Sequence, residues 1–361
     1  MPKRILLLAA LCLWSTATLY AQDRYYPETA WTERSPADVG MDAAQLDAAV
    51  AFAIGQETRQ PRDLDLTIAL SFAREPYNEI LGPTQPRGDA TGLIIKDGYL
   101  VAQWGEPERV DMTFSVTKSV LSTVVGLAYE RGMIRSLDDP VRSYVPTEHF
   151  GSPHNAQITW DHLLRQTSAW DGTLWDKPAW ADRPVGNDRW SWPNQPLTEP
   201  GTAWKYNDVR VNLLALAALH VWRTPLPVVL REHVMDPIGA SNTWRWEGYR
   251  NSWVTLDGQH MQSVSGGGHW GGGLFINAYD QGRLGLLFLR KGQWADQQIF
   301  STDWYDLATT PTASNTGYGF MNWFLNTDQE LLPNAPEGAI AHLGAGTNMI
   351  YLDPEHDLVI V

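Results

Sequence analysis

The chain has 361 residues, of which 43% are hydrophobic and 19% charged, and its formal net charge is −14 at pH 7. This balance excludes an intrinsically disordered chain, and the length is sufficient for one large α/β domain or for two domains. The acidic charge also excludes nucleic acid and anionic membrane surfaces as expected partners, because both would be repelled. We therefore expect a globular protein that binds neither nucleic acid nor an anionic membrane.

The first 21 residues have the pattern of a secretory signal peptide. Basic residues at positions 3 and 4 precede an apolar run from Ile5 to Trp14, and small residues lead to Ala21. A membrane anchor is the alternative interpretation, but the run is too short to cross a bilayer. We predict cleavage after Ala21 and export to the periplasm or the exterior, without stable membrane insertion afterwards.

The remaining chain, residues 22–361, is expected to form a single domain. The one cysteine of the sequence, Cys12, lies within the leader, where the preceding Leu11 disfavours lipidation, so the mature chain would have no thiol. No internal repeat or low-complexity linker divides the sequence. Stability must then come from core packing alone.

A hairpin and a long helix are the first predicted elements. Residues 93–101 are typical of two short strands around the turn Asp97-Gly98. A helix is expected from Ser115 to Arg131, ended by Gly132. Apolar residues occur on more than one side of this helix, so it should be buried in the core.

The middle of the chain, from about residue 140 to 250, is predicted to be a mostly helical layer with one long loop rich in Trp and Pro. Strands return at residues 348–352 and 358–361, on either side of a turn. Strands before and after a helical middle indicate one sheet assembled from both ends of the chain. The strand pattern continues to Val361, so truncation of the chain is left open.

Ser115 and Lys118 are the strongest candidates for chemistry. Side chains three residues apart on a helix lie on one face within reach of each other. At a helix start, the serine amide and the positive end of the helix dipole would stabilise an oxyanion. A buried lysine would in turn lose its proton more easily and could activate the serine. The alternative is that Ser115 caps the helix and Lys118 is solvated.

Two later segments complete a pattern. Tyr206-Asn207-Asp208 precedes a helical run, and His342-Leu343-Gly344 precedes a terminal strand. Together with Ser115-x-x-Lys118, the order resembles the serine penicillin-recognising enzymes, most closely class C β-lactamases and their esterase and amidase relatives. The resemblance implies an α+β fold, in which an antiparallel sheet is flanked by helices and carries a mostly helical insertion.

The resemblance also implies a role for each matching residue. Ser115 would be the nucleophile, and Lys118 and Tyr206 would share the roles of general base and acid. The oxyanion hole would use the backbone amides of Ser115 and Ala345. No cofactor and no metal ion are implied, and the substrate would be a small ester, amide or peptide, or a lactam.

The sequence departs from the family pattern at two positions. Asp208 replaces the usual Asn of the second motif, so its contact with Lys118 would be ionic and would hold the lysine protonated more firmly. His342 and Leu343 replace the Lys-Thr of the third motif, which removes the cation that holds a lactam carboxylate. Esters and amides therefore rank above lactams, with Asp208, His342 and Gly344 as expected substrate-binding residues.

Tryptophans are the remaining candidates for substrate binding. Trp170 and Trp204 lie in a Trp-rich stretch that the resemblance places beside the active site, where they would form an aromatic wall. Ordinary packing of a long loop is the alternative. The glycine-rich stretch 266–273 lacks the Lys-Ser/Thr ending of a phosphate loop, so close backbone packing is expected there.

Other functional classes have less support in the sequence. The histidines show no metal-ligand spacing, and no Gly-x-Ser-x-Gly elbow occurs. A non-catalytic sensor or binding module for cell-wall fragments is the alternative to an enzyme, because Asp208 and the altered third motif both depart from the family pattern. The intact Ser115, Lys118 and Tyr206 favour the enzyme.

Overall fold

The computed structural model describes residues 24–329 and 331–361, so the predicted signal peptide lies outside the described residues. The α-helices of the described ranges are α1 (Ala43–Gly55), α2 (Leu64–Phe72), α3 (Val116–Glu130), α4 (Trp160–Leu164), α5 (Asp208–Trp222), α6 (Leu226–Leu230), α7 (Ala278–Leu289) and α8 (Thr302–Ala308). The strands of the same ranges are β1 (Gly92–Lys96), β2 (Tyr99–Trp104), β3 (Asp111–Met112), β4 (Thr173–Leu174), β5 (Lys177–Pro178), β6 (Arg245–Leu256), β7 (Gln259–Val264), β8 (Gly273–Ile276), β9 (Gln293–Trp294), β10 (Gln297–Gln298), β11 (Trp323–Phe324), β12 (Ile340–Gly344), β13 (Asn348–Asp353) and β14 (Leu358–Ile360).

A six-stranded sheet is built from both ends of the chain. Its order is β11-β12-β13-β14-β1-β2, and every neighbouring pair is antiparallel. The pairing of Ile94 with Ile360 joins the first strand to the last. This confirms the prediction of one sheet from both ends, and α7 packs against β1, β13 and β14 to bury one of its faces.

The hairpin of β1 and β2 forms at the predicted turn. Asp97 and Gly98 have φ angles of 54° and 87°, the left-handed values that a tight two-residue turn requires. Glycine adopts such a value without steric cost, and aspartate tolerates it better than most residues.

The predicted helix is α3, which begins one residue after Ser115 and ends one residue before Arg131. Every residue from Val116 to Ala128 is buried, because α3 lies between α5 and the six-stranded sheet. Its first turn is consequently held rigidly at one end of the core, where a functional side chain can be positioned accurately.

A second sheet was not predicted. Its order is β3-β8-β6-β7, and the hairpin of β6 and β7 turns at Asp257 and Gly258, with φ angles of 51° and 77°. This is the same Asp-Gly signal as in the first hairpin. The predicted helical layer to residue 250 is therefore too long, since β6 begins at Arg245.

Helix also occupies less of the middle segment than expected. Between α4 and α5 the chain forms the short hairpin of β4 and β5 and two 3₁₀ turns. Prolines at positions 178, 184, 193, 196 and 200 interrupt any longer helix there. Within the described ranges no single helix is long and apolar enough to cross a membrane, although α5 and the segment Leu226–Met235 reach that length as a pair bent by 76°.

Candidate active site

Ser115 and Lys118 contact each other at the start of α3. The Lys118 Nζ donates to the Ser115 Oγ at 2.7 Å, while the serine side chain makes no capping hydrogen bond to the helix. Lys118 is only 1% exposed. The alternative of a helix cap and a solvated lysine therefore does not describe this pair.

The ammonium group of Lys118 lies in a polar enclosure within the core. Its Nζ is 3.2 Å from the Gly266 carbonyl oxygen and 2.8 Å from the Asp208 Oδ1. Burial lowers the pKa of Lys118, and the Asp208 carboxylate opposes that effect. The lysine is thus easier to deprotonate than a solvated lysine.

The glycine-rich stretch brings backbone oxygens to this lysine. Gly267 has a φ of 79°, and a Cβ there would overlap the Phe114 carbonyl oxygen and stand 2.7 Å from the Thr117 Oγ1. Only glycine fits this approach. The geometry agrees with the expectation of close backbone packing in this stretch.

Tyr206 lies beside the pair, although the sequence separates it by almost ninety residues. The Lys118 Nζ is 5.2 Å from the centroid of its ring. Burial raises the pKa of Tyr206, and interaction with the Ser115 hydroxyl acts in the opposite direction. The phenol is therefore neutral at physiological pH and available as a proton donor.

Gln166 fixes the segment that carries Tyr206. Its backbone oxygen accepts from the Lys205 amide at 3.0 Å, and its side-chain oxygen accepts from the Asn207 amide at 2.6 Å. Its side-chain nitrogen donates to the Tyr318 hydroxyl at 2.9 Å. Sequence reasoning missed this residue, because a lone glutamine in a loop carries no motif.

The third motif lies next to the serine amide. Strand β12 ends at Gly344, where a Cβ would come within 3.2 Å of the Ser115 nitrogen. Ala345 follows at an exposed position. The two amides expected to form an oxyanion hole therefore belong to adjoining backbone segments.

Asp208, the first residue of α5, is buried and carries several ionic contacts. Its Oδ2 lies 3.0 Å from Arg183 and 3.0 Å from the His269 Nδ1, while its Oδ1 faces Lys118. Burial raises the pKa of this carboxyl, but Arg183 and Lys118 outweigh it and hold the pKa well below its usual range. The ionic contact expected between Asp208 and Lys118 is present.

Two of the expected substrate-binding residues belong to the core instead. His342 is 3% exposed, and its ring lies 4.9 Å from that of Phe288 on α7. Trp170 is 1% exposed, and its indole donates to the His149 carbonyl oxygen. Both expectations are wrong, because alternation along β12 turns His342 toward the helices and Trp170 packs in the core. The expectation that Asp208 binds substrate is wrong as well, since this side chain is 1% exposed and is enclosed by Lys118, Arg183 and His269.

Trp204, in contrast, belongs to an aromatic cluster around Tyr206. Its ring centroid is 6.2 Å from that of Tyr206 and 5.4 Å from that of Tyr318. Trp323, on the edge strand β11, lies 5.7 Å from Tyr206. This partly exposed wall can pack against an apolar part of a substrate.

A cavity of about 440 Å³ adjoins the Ser-Lys pair. It is lined by Ile68 and Phe72 of α2, by Phe114 and by Ala345, while Ser115 itself is not among the lining residues. Charged side chains such as Glu57, Arg87 and Asp111 line the same cavity, so its character is mixed. Phe114 and Ala345 are the lining residues that adjoin the reactive pair along the chain.

Sequence reasoning missed the charged residues behind Lys118. Glu75, Asp182 and His269 place ligand atoms within 4.8 Å of one another, a spacing compatible with a metal ion. Arg183, however, already lies 2.6 Å from the Asp182 carboxylate, and a cation there would be repelled. The residues come from separate loops, so no motif spacing could have revealed them.

An antiparallel sheet flanked by helices, with a partly exposed serine and a buried lysine at the start of the central helix, defines the β-lactamase and transpeptidase class of fold. Residues 88–361 match the family model described as Beta-lactamase. The chain belongs to the beta-lactamase family, as the motifs predicted.

The curated relatives are distant. A 6-aminohexanoate-dimer hydrolase of Paenarthrobacter ureafaciens is 26% identical over 295 residues, which are 74% of this chain and 70% of that protein. A protein of Escherichia coli O157:H7 named for D-alanyl-D-alanine carboxypeptidase activity is 24% identical over 196 residues. That match spans only 45% of each protein.

Solved structures show the same fold. A hydrolase with promiscuous acyltransferase activity superposes with a TM-score of 0.57 at 17% identity, covering 88% of this chain and 93% of that one. An octameric penicillin-binding protein homologue from Pyrococcus abyssi gives 0.55 at 16% identity, covering 89% and 72%. The fold class predicted from the sequence is confirmed.

Proposed function

We propose that this protein is an exported serine hydrolase that cleaves an ester or amide through an acyl-enzyme on Ser115. The observation that carries the proposal is the 2.7 Å contact between the Ser115 Oγ and the buried Lys118 Nζ. A serine hydroxyl is a weak nucleophile unless a base takes its proton as it attacks.

Lys118 and Tyr206 divide the proton transfers in this proposal. Burial favours the neutral form of both side chains, so Lys118 accepts the proton while Tyr206 can donate one. As the Ser115 Oγ bonds to the substrate carbonyl carbon, its proton passes to Lys118. The leaving group then receives a proton through Tyr206.

The backbone completes the proposed site. The amides of Ser115 and Ala345 would stabilise the negative oxygen of the tetrahedral intermediate, since both lie where α3 begins and β12 ends. Collapse of the intermediate releases the alcohol or amine. Water then attacks the acyl-enzyme in the same manner and releases the acid.

The substrate is proposed to be a small ester, amide or short peptide carrying an apolar group. The aromatic cluster around Tyr206 supports an apolar group. The third motif has no cation for a lactam carboxylate, because His342 is buried. Esters and amides therefore rank above lactams.

Replacing Ser115 by Ala tests the nucleophile. We expect hydrolysis of p-nitrophenyl butyrate to fall by about 10⁴-fold or more, because the covalent route is lost. A fluorophosphonate probe read by mass spectrometry should label Ser115 in the unmodified protein.

Ser122→Ala is the matched control on the same helix. Its hydroxyl is buried without a hydrogen-bond partner among the described residues, so the change should leave hydrolysis intact. Labelling at a residue other than Ser115 would contradict the proposal.

A non-catalytic module that binds cell-wall fragments is the second candidate. The ionic contact between Asp208 and Lys118 favours it, since that contact stabilises the charged lysine. Such a module would bind peptide fragments but would show neither labelling of Ser115 nor ester turnover, so the same assay separates the two candidates.

A further inference from the structure

A buried charged cluster lies directly behind Lys118 and is not explained by acyl transfer itself. Its centre is His269, which is 2% exposed and stacks on Phe72 with ring centroids 3.9 Å apart. The cluster consists of Glu75 after α2, Lys118 on α3, Asp182 and Arg183 in the loop before α5, Asp208 on α5, and His269.

Each ring nitrogen of His269 faces a carboxylate. The Nδ1 lies 3.0 Å from the Asp208 Oδ2, and the Nε2 lies 2.9 Å from the Glu75 Oε2. An ionised carboxylate only accepts hydrogen bonds, whereas a neutral imidazole can donate from only one nitrogen. The Nδ1 contact is a hydrogen bond, whereas the Nε2 contact has the distance of an ion pair without the alignment of a hydrogen bond. A neutral ring would direct a lone pair at one of the two carboxylate oxygens, so both close contacts are favourable only when His269 is an imidazolium. Burial lowers its pKa, but the two carboxylates outweigh burial and the pKa is raised.

The charges of the cluster balance when His269 is charged. Before Lys118 gives up its proton, the three carboxylates of Glu75, Asp182 and Asp208 face the Lys118 ammonium and the Arg183 guanidinium, and the imidazolium supplies the third positive charge. Burial raises the pKa of Asp182 to about 6, so this balance holds above that pH. An unbalanced charge in such an environment would be costly.

Other titratable groups around the cluster do not replace this charge. Lys205 interacts with Asp182 and Glu75, and burial lowers its pKa. Tyr206 remains a neutral phenol because burial raises its pKa. Asp208 is therefore the point at which His269, Arg183 and Lys118 compete for one negative charge.

We propose that His269, held as an imidazolium between Glu75 and Asp208, is a positioning residue that weakens the hold of Asp208 on Lys118. The inference rests on the proposed acyl transfer, in which Lys118 must be neutral to accept the Ser115 proton. His269 touches no reacting atom and keeps its proton throughout the cycle. Its charge offsets the substitution of Asp for Asn at position 208.

The direction of the effect follows from electrostatics. Without the imidazolium, Asp208 attracts the Lys118 ammonium more strongly, so the pH at which Ser115 becomes reactive should rise. Without the Asp208 carboxylate, the same pH should fall. A residue that only supports packing would change the rate at all pH values and leave the midpoint in place.

The experiment is a pH profile of Ser115 acylation by a fluorophosphonate for the unmodified protein, His269→Asn and Asp208→Asn. Asparagine at position 269 keeps a donor near the Nδ1 position without the charge. In His269→Asn we expect the rising limb of the pH profile to move to higher pH by about one unit, which is a tenfold loss of acylation rate at a pH on that limb. In Asp208→Asn we expect the rising limb to move to lower pH. Thermal unfolding establishes that each variant is folded. If His269→Asn does not fold, His269→Gln, which keeps a donor near the Nε2 position, takes its place.

Three results would overturn the inference. The first is a midpoint of the pH profile in His269→Asn that equals that of the unmodified protein. The second is a midpoint of the unmodified protein that moves after dialysis against EDTA, which would assign the cluster to a metal ion. The third comes from ¹⁵N NMR of the unmodified protein at pH 7, where the His269 signal should be that of a doubly protonated ring. A neutral tautomer contradicts the inference even when Ser115 is reactive, whereas an unlabelled Ser115 with a charged His269 contradicts the proposed function alone.

Discussion

His342 shows how a residue can match a motif and still have a different role. The motif position follows from its spacing to Gly344, but the direction of its side chain follows from the alternation of β12, where His342 faces the same side as the buried Ile340. Neither ring nitrogen has a hydrogen-bond partner among the described residues. A sequence pattern carries no signal for this orientation until the sheet is known.

Replacing His342 by Leu should make the protein less sensitive to acid. Burial lowers the pKa of His342 to about 3, whereas an unfolded histidine titrates near about 6.5. Between these values the unfolded state binds one more proton, so the neutral histidine costs about 1.4 kcal/mol of stability for each unit that pH falls. Urea unfolding at pH 6, 5 and 4 should show a flatter slope in His342→Leu.

His260→Leu is the control, because His260 is exposed at the start of β7. Its slope should remain that of the unmodified protein. If His342→Leu also keeps that slope, the buried neutral histidine is not a source of acid sensitivity.

Helix α3 and the glycine-rich stretch act together at the scale of elements. The helix and its nucleophile were predicted from Ser115-x-x-Lys118 and a run of apolar residues, and both follow from local sequence. The contact of Lys118 with Asp208 was predicted, but its contact with the Gly266 carbonyl was not, because that carbonyl comes from a distant loop. The only sign of a long-range backbone approach in a sequence is a glycine, and glycines also occur in turns and caps. A glycine alone therefore does not identify such an approach.

Gly267→Ala should greatly slow labelling of Ser115. The new methyl group would overlap the Phe114 carbonyl oxygen, one residue before the nucleophile, and force the backbone around Lys118 to move. A displacement of this kind at a reactive pair costs on the order of 100-fold in rate.

Gly258→Ala is a matched substitution for this test. Gly258 has a similar φ of 77°, but nothing lies within 4 Å of an added Cβ. Both variants carry the strain of a left-handed alanine, so the difference in labelling rate reports the steric overlap alone. Equal rates in the two variants would show that the close approach of Gly267 is not required.

At the scale of the whole molecule, the parts of the fold with recognisable sequence patterns were predicted. The six-stranded sheet, the central helix and the Ser-Lys-Tyr constellation follow from hairpin signals, apolar runs and motif order. The second sheet was missed, although Asp257-Gly258 carries the same turn signal as Asp97-Gly98. Its other two strands, β3 and β8, are only 2 and 4 residues long and too short to leave a strand pattern. The Arg183 and His269 contacts could not be predicted, since they depend on loops that meet only in three dimensions.

Export remains a prediction for the molecule as a whole. If residues 1–21 form a cleaved leader, the mature protein should begin at Gln22. Mass spectrometry of the protein recovered from the periplasm or the medium of an expressing bacterium would identify this terminus. Recovery of the full-length chain in the cytoplasmic fraction alone would contradict export.

The pairing of β1 with β14 has a consequence for the order of events during synthesis. The partner of Ile94 is Ile360, so the centre of the main sheet cannot close before residue 360 has been synthesised. Contacts between such distant positions are slow to form because a long loop must first be closed. Until β14 is available, the hairpin of β1 and β2 lacks its partner strand, so the main sheet is completed late in folding.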